Sequence, residues 1–298
     1  LTLGGGTVTL ENDLLLYPQG IIYGPGRINF GNKRIQITAQ QYNAHTPITW
    51  QASDGTLVLD GQVVLSAPWT FEGNCKIDAS KGKLILATGG AIIAASGSSL
   101  TLQNMRIDGV KDQNIRCADN TAAITMVATD LVFTGDAGFH QGSMKFVANN
   151  TWSGPYEFTY DSARTSTVDA NAQWRVGGDI SLLMGRNPIN GAEPLVVVDN
   201  TSIIRLGNCS FTSLPTGMRL TKGHVIFDKE IFWESQSTST TSGIVVGSGL
   251  PADDFTIDFT PGSLLRFNAG HFTYNNSIPT LFRSSSTSAQ FVRGLGSQ

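Results

Sequence analysis

Along the whole chain, short apolar or alternating stretches recur every few residues, and no run of a dozen residues or more carries a helical hydrophobic period. Thr7–Leu10, Arg34–Thr38, Thr56–Leu59, Lys83–Leu86, Ser99–Leu102, Ser202–Leu206 and Phe255–Phe259 are examples. They are rich in Ile, Leu, Val, Phe and Thr, and Gly, Asn, Asp, Ser or Pro bound most of them. That is the signature of short β-strands separated by turns. The chain is therefore expected to be all-β, with little helix.

A degenerate repeat overlies this pattern. An Asn closes an apolar run and an apolar residue follows three positions later: Asn32 to Ile35, Asn74 to Ile77, Asn104 to Ile107, Asn200 to Ile203 and Asn208 to Phe211. Asn tolerates left-handed φ and bonds its own backbone, so it turns a strand sharply. In stacked coils such side chains would form an amide ladder at inward or turn positions. One coil cannot bury its apolar face alone, whereas stacked coils share a core. The repeat predicts one elongated single-stranded parallel β-solenoid over residues 1–298, with a β-sandwich or jelly roll as the alternative. A polar stretch at Asp161–Gln173 reads as an excursion between halves near 1–160 and 174–298. Ser235–Ser242 and Ser284–Ser288 read as exposed loops or polar strand edges.

Gly89-Gly90-Ala91-Ile92 resembles the GGAI motif of bacterial polymorphic outer-membrane proteins. Their companion F-x-x-N motif resembles Phe71 to Asn74, Phe146 to Asn149 and Phe272 to Asn275. The resemblance implies a right-handed β-helical passenger of a surface protein. GGAI stands once here, where that family repeats it, and these residues are not expected to include a C-terminal membrane barrel.

Charged residues make up only 14% of the chain, against about 25% in an average soluble domain. A surface of Ser, Thr, Asn and Gln suits a secreted or surface protein and is poor at neutralising phosphates, so nucleic acid is not an expected partner. No apolar run approaches the ~18 residues of a membrane helix, so no membrane span is expected. No signal-peptide pattern opens the chain, which reads as a mature form. Three cysteines, Cys75, Cys117 and Cys209, fit no zinc spacing and read as buried small apolar residues.

Candidate chemistry is sparse. Glycoside cleavage needs paired carboxylates, and the best local pair is Asp253-Asp254, with His224 and His271 each after a glycine. The Asn-Thr-Asp, Gly-His-Gly and Arg-Ile-Lys elements of polygalacturonase-like sites are missing. Asp253-Asp254 reads better as a turn after Pro251. Calcium, the one cofactor considered, would need clustered carboxylates, whereas Asp108, Asp130, Asp136 and Asp228 are scattered. No catalytic residue, resident cofactor or metal is therefore expected. Trp50, Trp69, Trp152, Trp174 and Trp233 could stack on sugars if exposed, but core packing is their default.

The expected function is a non-catalytic extracellular or cell-surface structural protein, a fibre, filament or sheath subunit whose main partner is itself. The alternatives are a carbohydrate-active β-helix and a non-catalytic adhesin that binds surface glycans. Parallel solenoids leave strand edges at their ends that invite another strand. The strand-like segments 1–10 and 279–298 supply the candidate contacts: Leu1, Leu3, Val8, Leu10, Leu281, Phe282, Phe291 and Val292.

Overall fold

The structure, a computed structural model, describes residues 1–17, 22–237, 243–250, 253, 255–267, 269–275, 282–284 and 290–293; at 282 and 290–293 it describes the backbone alone. Leu281, Asp254 and the rest of the Ser284–Ser288 stretch beyond Ser284 lie outside these residues, as do 238–242. No helix occurs among the described residues. The strands pair in parallel throughout and stack as a β-solenoid. A sandwich of antiparallel Greek keys is excluded. The chain forms two compact units, Leu1–Met144 and Lys145–Gln298.

In the first unit the strands are β1 (Thr7–Thr9), β2 (Leu14–Leu16), β3 (Gly26–Gly31), β4 (Arg34–Ala44), β5 (Ile48–Leu65), β6 (Pro68–Asp78), β7 (Lys83–Leu86), β8 (Ala91–Ala94), β9 (Ser99–Asp112), β10 (Ile115–Cys117) and β11 (Ala123–Phe139). Each coil has three sides. One stacks β1, β3, the start of β5, the start of β6, β8 and β10. The second begins with β2 and β4 and continues through the middle of β5 and the end of β6 into β9 and β11. The third joins the ends of β4 and β5 to β7 and the later part of β9. Register partners lie as little as 20 residues apart (Thr7 and Arg27) and as much as 25 (Ile77 and Leu102).

Long strands pass from one side to the next without losing their pairing because single corner residues take left-handed φ. Asn104 (φ 50°) turns β9, Ala128 (φ 51°) turns β11, and Gly61 (φ 126°) and Gly73 (φ 75°) turn β5 and β6. At Gly61 a Cβ would lie 1.7 Å from the Ala39 carbonyl oxygen, so only glycine fits.

Alternate residues point inward, and the interior is their stack. Ile28, Trp50 and Phe71 follow one another on the first side, and Ile35, Leu57, Ile77, Leu102 and Met126 on the second; all are essentially inaccessible. Trp50 meets Trp69 edge-on at 5.1 Å, a favourable aromatic arrangement.

The second unit repeats the scheme with coils of more variable length. Asn149–Ser153, Gln173–Gly177, Ile203–Leu206, Gly223–Phe227, Phe255–Phe259 and Phe282–Ser284 stack on one side. Phe211, Trp233 and Phe267 lie in one inward column of another, with partners up to 34 residues apart (Trp233 and Phe267). The polar stretch 161–173 is not an excursion. It contains the strand Ser166–Val168, which pairs with Ser143–Val147 and Leu195–Val197, and Ser162, Ser166 and Val168 are buried. Its polarity misleads because Ser can face inward when its hydroxyl finds a partner, as Ser166 does on Tyr160. Ser235 and Ser237 are likewise buried rather than exposed.

Candidate functional site

The outer edge of the first coil is where the predicted N-terminal contact residues sit. β1 pairs with β3 through Thr7, Val8 and Thr9, and β2 pairs with β4; among the described residues no strand lies on their other side. Leu3 donates its N–H to the Tyr23 carbonyl (2.9 Å), and Tyr23 donates to that of Leu1 (2.8 Å). Leu3 is buried against Gly26, while Leu1 is 44% exposed. Val8, Leu10 and Leu14 are only half-buried, where equivalents one coil on, such as Ile28 and Ile35, are sealed. Leu15 and Tyr17 add 44% and 69% exposed side chains to the same coil, and Tyr23, which bridges Thr2 from the next coil, is 58% exposed. The C-terminal candidates pair with their own chain: Phe282 with Ile257, Phe291 with Leu265 and Val292 with Arg266.

The asparagines singled out by the repeat do not form an internal ladder. Asn32, Asn74, Asn104, Asn200 and Asn208 are all exposed. They also occupy different corners: the register partner of Asn74 is Ser99, not Asn104. Asn104 and Asn208 take φ of 50° and 46°, so the residue type there answers a backbone need. Around Asn200 the turn is made by its neighbours. The Asp199 Oδ1 accepts from the Thr201 N–H (2.8 Å) and hydroxyl (2.6 Å), and Asp119 holds Thr121 with the same two distances. These hydroxyl bonds hold the Asp199 and Asp119 carboxyls below the usual range, with Ser96 adding the largest contribution at Asp119. The buried asparagines are others: Asn114, Asn150 and Asn187. Asn150 Nδ2 donates to the Val147 carbonyl (3.0 Å) and Asn114 Nδ2 to that of Gly109 (2.7 Å). No sequence signal separates them from surface asparagines.

The candidate catalytic groups are drawn into ion pairs. Stacking brings Asp228 under two guanidiniums, with Arg205 Nε at 2.5 Å and Arg175 Nη2 at 3.3 Å, and the Asp228 bond raises the Arg205 pKa. Asp108 lies between Arg106 (2.7 Å) and Lys83 (3.8 Å). Asp253 is buried and meets Lys222 at 3.0 Å; Ser248, then Lys222, hold its carboxyl low. His224 Nδ1 lies 2.6 Å from the Thr256 hydroxyl and 3.7 Å from Asp258, which Arg283 Nε bonds at 2.9 Å. His271 immediately precedes the strand Phe272–Tyr274 and accepts the Ile244 N–H at its carbonyl (2.9 Å). Among the described residues no three His, Cys, Asp or Glu side chains gather as metal ligands would. All five tryptophans are buried, so none offers a sugar platform.

The first unit carries an open recess of about 320 Å³ lined by Gly5, Thr7, Pro25, Gly26, Arg27, Pro47, Ile48, Thr49 and Thr70. Arg27 Nη1 and Nη2 bond the two Glu72 oxygens at 2.6 and 2.9 Å, and Nη1 also reaches Gln51 Oε1 at 3.3 Å.

Comparison with known proteins finds no match among family models, curated proteins or solved structures.

Proposed function

We propose that the chain is a non-catalytic structural β-solenoid of the cell exterior, and that its subunits associate through the strand edge of the first coil. The observation that carries this reading is that edge: β1 and β2 pair on one side, and Val8, Leu10 and Leu14 remain half-covered where the next coil's residues are sealed. A second copy that adds a parallel strand there would satisfy the outward backbone groups of β1 and cover those side chains. The contact is heterologous, so repetition builds a filament unless it closes into a ring. The ion pairs on the outer faces support a structural role, because acids a glycoside-cleaving site would use are held by cations, across coils at Asp228, Asp253 and Asp258 and within one strand at Asp108. The low charge and the GGAI and F-x-x-N resemblance fit an exterior location.

Light scattering over a range of concentrations, with negative-stain microscopy, tests this. The intact chain should form mass that grows with concentration. Val8→Lys, which puts a charge on the edge, should shift it toward monomer. An intact chain that stays monomeric at high concentration sinks the proposal.

A further inference from the structure

We propose that the recess around Arg27 binds a single ring of a neutral glycan. This goes beyond the structural role, and nothing in that role requires it.

The recess exists because small residues form its walls. Gly5 holds φ 82°, a conformation that L side chains rarely adopt, so a side chain there is strained, and a Cβ on Gly26 would come within 2.5 Å of Leu3 Cβ and 2.8 Å of the Gly6 carbonyl oxygen. Pro25 and Pro47 stiffen the two corners beside them. Across the floor run Thr7, Arg27, Thr49 and Thr70, one from each successive coil in strict register, spaced by roughly 4.8 Å.

Their chemistry specifies the ligand. Each threonine offers a hydroxyl that donates and accepts, beside a methyl that can pack on C–H groups. A guanidinium has five N–H donors, and the bonds from Arg27 to Gln51 and Glu72 use three. Glu72 matches the charge of Arg27, so the site has no net charge to offer an anion. A ligand rich in hydroxyls, with apolar C–H faces and no charge, is a sugar. The volume of about 320 Å³ lies at the small end of ligand sites, roughly 300–1,000 Å³. It suits one pyranose ring, with the rest of a glycan outside. An open site of this size should bind in the millimolar range, about 4 kcal/mol.

Ligand-observed saturation-transfer NMR tests this, because it reads ligand protons whatever the size of the protein particle. The probes are the methyl glycosides of glucose, galactose and mannose, with glucuronate as the charged comparison. At least one neutral glycoside should show saturable transfer. Thr49→Trp, or independently Thr70→Trp, fills the recess from an outward position and should weaken binding at least tenfold. Thr101→Trp, outward on another side of the coil, should leave it unchanged. The proposal fails if no neutral glycoside saturates below about 0.1 M. It also fails if both recess-filling variants, folded by circular dichroism, still bind. Glucuronate binding more than tenfold tighter than every neutral glycoside would overturn the neutral assignment. Self-association is read from particle mass, so either proposal can fail alone.

Discussion

Asn150 is sealed from solvent. Its side chain is fully buried and donates to the Val147 carbonyl. Removing it strands buried polar groups, which costs about 1–3 kcal/mol. Asn150→Ala should therefore lower the urea midpoint by a corresponding amount, whereas Asn74→Ala, at an exposed corner with ordinary φ, should change it little. The three cysteines give a residue-scale pH prediction. Burial pushes the thiols of Cys75, Cys117 and Cys209 up to about 12, whereas an unfolded thiol ionises near ~8.5. The folded state thus keeps its protons where the unfolded chain has lost them. Stability contributed this way is whole below the unfolded value and lost as pH rises toward the folded one, by up to about 1.4 kcal/mol per pH unit per thiol. Denaturation midpoints measured between pH 8 and pH 11 should fall, and more shallowly in a variant with all three cysteines replaced by alanine. An equal slope would refute the assignment.

At the scale of the strand, the corners decide the fold. Gly61 combines φ 126° with a Cβ clash against the Ala39 carbonyl, whereas Gly31 has φ 53° and open space. Gly31→Ala should cost about 1–2 kcal/mol, the ordinary left-handed penalty. Gly61→Ala should cost several times more, because β4 and β5 must separate to admit the methyl. Thermal melts of the two variants compare them directly. Strands and corners also differ in how plainly the amino-acid sequence spells them. Alternation such as Ile48-Thr49-Trp50 announces a strand with one buried face, because side-chain direction has a period of two. It also announces stacking, since such thin strands cannot enclose a core alone. The corners are less legible: an Asn at a left-handed position and an Asn in a surface loop are spelled alike. The cross-coil pairs are not legible at all. Arg27 meets Glu72 two coils away and Arg175 meets Asp228 over 53 residues, and coil lengths vary too much for a fixed period to expose such partners. For the same reason the recess at Arg27 has no sequence signature, since its walls are glycines and prolines that mark turns anywhere.

For the molecule as a whole, the decisive feature is the direction of its hydrogen bonds. Within the first unit the strands lie across the stack, so the inter-coil bonds run along it, and each coil is held only by its neighbours. A force applied along that direction does not load the ladder all at once. It opens the bonds of one coil in succession, as a zip opens, while the next coil stays closed. Each peeled coil frees the chain between register partners, 20 to 25 residues, at ~3.3–3.6 Å each. Extension of the first unit by optical tweezers, with handles at its two ends, should thus be a staircase with treads of roughly 65–90 Å. A single rip of the whole unit would mean that the coils yield as one body. A stepped response would make the protein a shock absorber, which lengthens under load in small increments and can re-close behind each one.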